Sequence, residues 1–238
     1  FSTRTASIGA WSNPMIHWTI SLFMLAAGLN FGLYYGVLQG RWRDLHRDTE
    51  LRFYLLFNLA LVVIVAALLL PTRGWGEATL REATFQVLAV TTTTGFMTAD
   101  FDSYPDLARQ LLMFAMFMGG CAGSTAGGVK AVRVLLLLRV ARRELKTTAQ
   151  PRAVSAVRLG RNVVPEPVLT GVLVFLGTFA VLFVGATAIL SALGLDLVTG
   201  MSAAVACLSS IGPGLNAVGP TQNYAFIPDL GKIVLSVC

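Results

Sequence analysis

Long uncharged segments alternate with short, mainly apolar stretches along this sequence. Residues 14–38 and 168–190 carry no Asp, Glu, Lys or Arg, and residues 54–70 are apolar apart from Asn58. Helices of this length, at ~1.5 Å per residue, reach across the ~30 Å hydrocarbon core of a bilayer. The pattern therefore predicts three membrane-spanning helices and a fourth, largely apolar segment over 107–138 that glycines interrupt.

Two short stretches cannot cross a bilayer, and each leads into a polar segment that contains glycine. Residues 83–90 precede TTTTGF at 91–96, and residues 201–208 precede SSIGPG at 209–214. Irregular polar backbone is tolerated at membrane depth only where it is buried in protein or lines a water-filled cavity. We therefore predict two re-entrant hairpins, each a pore helix followed by a loop that lines an ion path.

The order of long span, short stretch, glycine-bearing loop and long span occurs twice, with a spacing of about 115 residues that fits duplicated transmembrane units better than a solenoid. The first unit is predicted over 42–139, with an outer helix at 51–71, a pore helix at 77–90, a filter at 91–96 and a broken inner helix at 106–138. The second is predicted over 165–238, with an outer helix at 167–191, a pore helix at 198–208, a filter at 209–214 and a truncated inner helix. Residues 1–41 are predicted to be the filter exit and inner helix of a preceding unit. The expected fold is an all-α polytopic membrane protein, with tandem outer helix–re-entrant pore helix–inner helix repeats around a central pore.

Composition supports a membrane protein. The mean hydropathy is +0.70, and 13% of the residues are charged, against roughly 25% in an ordinary soluble domain. The three cysteines, Cys121, Cys207 and Cys238, show no CxxC spacing, which argues against a disulfide framework and a zinc site. The sequence starts without methionine and stops inside an apolar run, so we expect an internal fragment of a longer protein.

The net charge of +6 is concentrated beside the hydrophobic segments. Arg41, Arg43 and Arg47 follow the first span, and a basic linker over 140–164 follows the fourth apolar segment. Because basic residues in short loops mark the cytoplasmic side, we expect the basic stretch 139–161 in the cytoplasm and no binding of nucleic acid. The stretch is either an orientation signal that faces anionic lipid or a contact for a cytosolic partner, and the sequence leaves both open.

The segment TTGF at 93–96 matches the T-x-G-aromatic pattern of potassium filters, in which backbone carbonyls replace the hydration shell of the ion. The pore helix before it would direct the negative end of its dipole at the cation. The alternative is a threonine-rich extracellular turn, but the recurrence of the pattern at 210–213 favours a filter. The predicted K+-binding residues are Thr92, Thr93, Thr94, Gly95, Ser210, Ile211 and Gly212.

Five glycines within residues 119–128 interrupt the fourth apolar segment. Glycine costs a helix ~1 kcal/mol relative to alanine, so the helix is predicted to open here. A phosphate-binding loop is excluded because Val129 stands where lysine is required, and Ser124 lacks the flanking glycines of a nucleophile elbow. A packing seam of small residues stays open as an alternative. We predict a gate beneath the filter, formed by Gly119, Gly120, Gly123, Ser124, Thr125, Gly127, Gly128 and Lys130.

The run GGCAGSTAGGVK at 119–130 and IGPG at 211–214 carry a resemblance to a known family. The chain is similar to the membrane subunits of Trk-type bacterial potassium-uptake systems, in the superfamily that also holds the KtrB and plant HKT transporters. The resemblance implies four repeats around one pseudo-four-fold pore, with the inner helix of the second repeat, the third repeat and most of the fourth in this chain. It also implies a homodimer, a cytosolic nucleotide-binding regulatory subunit of the TrkA type, and the bacterial inner membrane. Pro213 and the lack of threonine in the last filter depart from the potassium-channel pattern and imply looser selectivity.

The predicted function is therefore potassium uptake through a carbonyl-lined filter, with K+ as the transported ion. The alternative is a sodium- or proton-coupled potassium symporter, which normally needs an ionisable group inside the membrane; the predicted spans offer His17 and Lys130, both near ends. A membrane-embedded hydrolase that uses Ser124 or Cys121 lacks a histidine placed as its base. We therefore expect that the chain is not an enzyme.

Overall fold

The computed structural model describes residues 6–150, 156–160 and 162–238 of the chain. Arg152 and Arg161 of the predicted basic linker, and residues 1–5 of the predicted preceding unit, lie outside the described residues. The described residues form these helices and strands: α1 (Pro14–Ala27), α2 (Phe31–Leu38), α3 (Trp42–Arg47), α4 (Thr49–Arg73), α5 (Glu77–Thr91), α6 (Asp106–Ala115), α7 (Ala131–Ala149), β1 (Arg158–Leu159), β2 (Asn162–Val163), α8 (Glu166–Ala192), α9 (Leu197–Leu208) and α10 (Asp229–Val237). The strands β1 and β2 pair antiparallel.

The helices α4 and α8 are long and apolar enough to cross a membrane. Within the described residues they are the two single helices with this property, and α1 with α2 adds a third span if the bent pair is counted as one. Large apolar side chains such as Leu59 on α4 and Val181 on α8 are exposed, as expected for surfaces that face lipid. Helix α4 begins where the Asp48 carboxylate accepts the Leu51 amide at 2.7 Å, and it ends at Gly74, whose φ is +75°.

The first predicted span is not one continuous helix, because α1 and α2 meet at an angle of 92°. The Asn30 side chain caps α2. The Gly28 carbonyl accepts the Cys121 amide at 2.9 Å, and the Phe31 amide donates to the Gly123 carbonyl at 3.1 Å. Backbone groups that would pair inside a continuous helix are therefore paired with a loop that is distant in sequence.

The two short helices lie close to where the hydrophobic pattern predicts them. Helix α5 covers Glu77–Thr91 against the predicted 77–90, and α9 covers Leu197–Leu208 against 198–208. Each packs against the long helix before it, α5 against α4 and α9 against α8. Helix α5 also packs against α1, so the first short helix lies between α1 and α4.

The inner helix of the first unit is broken over a longer stretch than its glycines alone indicate. Helix α6 ends at Ala115, and α7 begins at Ala131. Helix α7 then continues to Ala149, so residues 140–149, predicted as linker, are helical. Its Arg, Leu, Lys and Glu residues are good helix formers, and Pro151 is the next residue that disfavours a helix.

The main hydrophobic core lies between α4, α5 and α6 and extends to the second hairpin. Apolar side chains of all four parts are buried together in this core. They include Leu61, Val65, Leu69, Val87, Val90, Leu112, Met116, Val205, Ile211 and Leu215. The second hairpin is thus packed into the core of the first unit, which fixes the two predicted filters relative to each other.

Candidate ion path

The first predicted filter leaves α5 through a tight backbone turn. The Thr93 amide donates to the Val90 carbonyl at 3.1 Å, and the Thr94 amide donates to the Ala89 carbonyl at 3.0 Å. Thr93 and Gly95 have φ angles of +53° and +70°. This left-handed region is open to glycine at no steric cost, which explains the glycine of the T-x-G pattern.

The second predicted filter leaves α9 through the same turn. The Ser210 amide donates to the Cys207 carbonyl at 3.0 Å, and the Ile211 amide donates to the Ala206 carbonyl at 2.8 Å. Ser210 and Gly212 have φ angles of +56° and +107°. The two loops therefore share their main-chain conformation although their side chains differ.

The two filter loops are in direct contact. A Cβ atom added to Gly95 would overlap the carbonyl oxygen of Ile211 and would lie 3.2 Å from Cδ of Pro213. The Ile211 side chain is buried in the main core, so its carbonyl is held in place. The structure thus brings together predicted filter residues from both units.

Most threonine hydroxyls of the first filter are engaged within the protein. The Thr92 hydroxyl donates to the Leu88 carbonyl at 2.6 Å and lies 2.7 Å from the Thr94 hydroxyl, which must then be the donor of that pair. The Thr91 hydroxyl lies 2.6 Å from Oδ1 of the buried Asn58. These hydrogen bonds hold the threonine side chains of the loop against the protein.

The second filter is supported by different side chains. The Ser202 hydroxyl accepts the Leu215 amide at 2.9 Å, inside the hairpin. The Tyr224 hydroxyl donates to the Gly212 carbonyl at 2.6 Å. A carbonyl oxygen has two lone pairs, so this predicted filter residue can accept the Tyr224 hydroxyl and still offer its second lone pair to another group.

The glycine-rich segment lies against both filters. The Gly127 amide donates to the Thr93 hydroxyl at 2.7 Å. A Cβ atom on Gly127 would overlap the Ser209 carbonyl oxygen and would lie 3.4 Å from Cβ of Ser210. A Cβ atom on Gly119 would overlap the carbonyl oxygen of Gly127 itself. Only glycine fits where the segment is folded on itself and pressed against the filter backbone.

The opposite side of the same segment rests on the bend between α1 and α2. The Thr125 hydroxyl donates to the Ala27 carbonyl at 3.1 Å. A Cβ atom on Gly123 would lie 3.0 Å from Oδ1 of Asn30. The segment therefore lies between the predicted filter loops and the bent helix pair.

The remaining predicted gate residues shape the loop internally. A Cβ atom on Gly120 would lie 2.8 Å from both Ala126 Cβ and Ser124 Oγ. Gly128 and Lys130 have φ angles of +71° and +76°. The Lys130 ammonium donates to the Ala126 carbonyl, so a cationic side chain closes the loop at its C-terminal end.

One residue near this site, Glu50, was not identified from the sequence, and a second, Asn58, was noticed without a role. The Glu50 side chain, with 7% of its residue surface exposed, accepts the Ala122 amide at 2.6 Å and the Val132 amide at 3.1 Å. A glutamate in the first turn of a helix is common, so nothing in the pattern distinguishes it. Asn58 is the one polar residue of its span in the sequence. Its contact with the Thr91 hydroxyl explains why a polar side chain is buried there.

A polar network joins the two units near the N-terminus of α9. The Arg109 guanidinium donates to Asp102 at 2.8 Å and to the Asn216 side chain at 2.6 Å. The Asn216 amide group donates to the Asp196 carboxylate at 3.0 Å. Hydrogen bonds from the Thr199 side chain, then from its amide and Asn216, lower the pKa of Asp196, although burial opposes them. Arg109 was not identified from the sequence because its partners are distant along the chain.

Comparison with known proteins decides the family. The model of the TrkH family, described as cation transport protein, matches residues 1–238. The chain belongs to the TrkH family. The Trk system potassium uptake proteins TrkH of Salmonella typhimurium and Escherichia coli K12 are each 37% identical to this TrkH-family chain over 99% of its length and 49% of theirs. TrkG of Escherichia coli K12 is 28% identical over 100% of the chain.

A solved structure agrees with the TrkH assignment. The crystal structure of the potassium transporter TrkH from Vibrio parahaemolyticus matches with a TM-score of 0.92 and 33% identity, covering 100% of this chain and 51% of that chain. The predicted fold class, an all-α polytopic membrane protein of outer helix–pore helix–inner helix repeats, is confirmed. The family is described as one of cation transport proteins, which agrees with the expectation that the chain is not an enzyme. It spans about half the length of the TrkH relatives.

Proposed function

We propose that this chain forms part of the potassium path of a Trk-type uptake transporter, with a filter lined by carbonyl oxygens of residues 92–95 and 210–212. The observation that carries the proposal is the contact, at Gly95 and Ile211, of two loops that leave their helices through the same hydrogen-bonded turn. Neither loop contains an ionisable side chain. Neutral oxygens suit conduction because they offset dehydration of a cation without holding it permanently. The printed names of the relatives support potassium as the ion.

The glycine-rich segment 119–130 is the gate of this proposed path. It contacts both filter loops through Gly127, and its far side rests on the bend between α1 and α2. Movement of the segment away from Thr93 would open the space next to the filter. Its glycines with positive φ provide the backbone freedom for such a change.

The proposal also covers the membrane in which the transporter lies, its orientation and its partner subunits. The membrane is the bacterial inner membrane, and the basic stretch 139–161 lies in the cytoplasm. Exposed basic side chains at the end of α7, including Arg142 and Lys146, agree with that orientation. Assembly as a homodimer with a cytosolic nucleotide-binding subunit of the TrkA type completes the proposal, supported by relatives that are named as parts of a Trk system.

The substitution Gly95→Ser tests the filter in the complete protein. A side chain at a φ of +70° that also overlaps the Ile211 carbonyl is doubly disfavoured, with a cost of at least ~1–3 kcal/mol for the backbone alone. We expect potassium uptake to fall about tenfold or more, or K+/Na+ discrimination to be lost. The measurement is rubidium and sodium flux into proteoliposomes at a fixed voltage, together with growth of a potassium-dependent strain at low potassium.

The matched control is Gly177→Ser, in α8, where an added Cβ meets no atom within 4 Å. It should leave flux unchanged. Normal uptake and normal selectivity in a folded Gly95→Ser protein would refute the filter. Flux that collapses when a proton uncoupler is added at fixed voltage would instead support coupled symport.

A further inference from the structure

Glu50 contacts the glycine-rich segment 119–130, the proposed gate, from the N-terminal end of α4. It lies in the first turn of this helix, with 7% of its surface exposed. A single carboxylate oxygen, Oε1, accepts two main-chain amides, from Ala122 at 2.6 Å and from Val132 at 3.1 Å. Ala122 belongs to the glycine-rich segment and Val132 to the first turn of α7, so one atom connects the middle of the broken stretch with the helix that follows it.

The Val132 amide needs an acceptor from outside its own helix. The first amides of a helix have no partner within it, and the N-cap residue of α7, Lys130, makes no side-chain cap. The N-terminus of a helix also carries partial positive charge. Glu50, from a different helix, supplies both the missing acceptor and the complementary charge.

We propose that Glu50 is a positioning residue of the gate, whose carboxylate holds the glycine-rich segment against the filter in its closed arrangement. This inference rests on the proposed function of residues 119–130 as the gate. The contacts of the segment with Thr93, Gly28 and Phe31 are between neutral groups. A hydrogen bond to a carboxylate is roughly twice as strong as a neutral one, so loss of the Glu50 charge releases the segment at its strongest attachment.

The test measures the position of the segment separately from transport. In the complete protein, with Cys121, Cys207 and Cys238 replaced by alanine, Thr125→Cys places a thiol on an exposed position of the segment. Because position 125 is already exposed, the reported quantity is the change in the rate at which a membrane-impermeant maleimide labels this thiol, relative to the same thiol in the parent protein, as the segment leaves the Ala27 carbonyl that Thr125 contacts. Rubidium efflux from proteoliposomes is recorded with the same proteins.

Glu50→Gln retains the size of the side chain and removes its charge. We expect about tenfold faster labelling and about tenfold higher resting efflux, because two charge-assisted bonds become neutral ones. Asp48→Asn is the matched control: it removes a carboxylate two residues away that caps α4 through Leu51 and keeps an equally good cap. It should change neither rate.

Glu50→Asp distinguishes position from charge and serves if the glutamine variant unfolds. The shorter carboxylate retains the charge and cannot reach both amides, so both rates should again rise. If labelling and efflux match the parent protein in the folded variants, or if only the melting temperature falls, Glu50 is a structural cap and the inference is refuted. A parent protein that carries no rubidium at all would refute the proposed function instead.

Discussion

Gly127 is the residue at which the gate segment and both filter loops come together. Its amide bonds Thr93 of the first loop, and its Cα faces the Ser209 carbonyl that precedes the second. Gly127 does not have a positive φ, so alanine suits its backbone conformation, and the conflict with an added methyl group is one of space. A substitution at Gly127 therefore tests steric contact without the added strain of a positive φ.

We expect Gly127→Ala to raise resting rubidium efflux several-fold and to leave K+/Na+ selectivity unchanged. The filter loops are fixed by the bonds to α5 and α9, whereas the segment is rich in glycine and yields more easily. The methyl group should therefore displace the segment and spare the filter. Efflux from proteoliposomes and reversal potentials in mixed potassium and sodium measure the two effects.

Gly171→Ala is the control, since a Cβ atom at this α8 position meets nothing within 4 Å. It should change neither quantity. Reduced efflux together with lost selectivity in Gly127→Ala would show that the filter moves and the segment does not, which contradicts the expected order of stiffness.

At the scale of single residues, the sequence reveals a residue whose type is unusual for its position. It does not reveal a residue whose importance comes from contacts with distant parts of the chain. The glycines of the T-x-G and IGPG segments are visible because few residues adopt positive φ. Glu50 is invisible because a helix N-terminus commonly carries a glutamate, and its partners Ala122 and Val132 are ordinary backbone. Long-range contacts with the main chain leave no pattern in the residues that provide them.

The bend between α1 and α2 is the element that positions the gate segment from behind. Asn30 caps α2 by accepting the Gly32 amide at 2.8 Å and lies beside Gly123. The bend was not predicted, because residues 14–38 form one long segment without Asp, Glu, Lys or Arg. It exists because Gly28 and Phe31 bond to the segment, so hydropathy alone predicts the span and not its shape.

Asn30→Ala should lower the stability of the protein by about 1 kcal/mol through loss of the cap and should also raise resting efflux. The efflux rises because the surface that supports the segment is loosened. Thermal unfolding followed by tryptophan fluorescence in detergent gives the first quantity, and proteoliposome efflux gives the second.

Asn13→Ala is the paired control, since Asn13 caps α1 in the same way through the Met15 amide at 2.9 Å. It should lower stability by a similar amount without any change in efflux. Equal efflux in the two variants would show that the bend plays no part in holding the segment.

Over the whole molecule, a polar network joins the two units. Arg109 and Asp102 come from the first unit, and Asn216 and Asp196 come from the second. Helix periodicity and loop composition do not predict such a link, because its members are spread over the chain from 102 to 216. Duplication of the units, in contrast, was predictable, since the order of span lengths is retained even where side chains have changed.

The lowered pKa of Asp196 gives this network a pH dependence. A carboxylate whose folded pKa lies below its unfolded value of ~3.9 adds stability above that value, and the contribution is lost as the pH falls through the folded pKa. The difference in melting temperature between the parent and Asp196→Asn should therefore be largest above about pH 5 and shrink toward pH 3. Thermal unfolding across this range measures it.

Asp229→Asn serves as the control for the loss of one negative charge. Asp229 is exposed and pairs with Lys232 at 3.3 Å, and exposed pairs contribute little. A melting-temperature difference for Asp196→Asn that stays constant from pH 3 to pH 7 would show that the carboxylate acts by shape and not by charge.

The turn that ends α5 and α9 is formed by main-chain bonds, and this has a consequence for how such proteins diverge. Thr93-Thr94-Gly95 and Ser210-Ile211-Gly212 adopt one geometry with a single residue type in common. Mutation can therefore remove the sequence similarity between the two loops while the carbonyl oxygens of the proposed filter keep their positions. The common origin of two such loops should therefore remain detectable in their backbone dihedral angles after it can no longer be detected in their sequences.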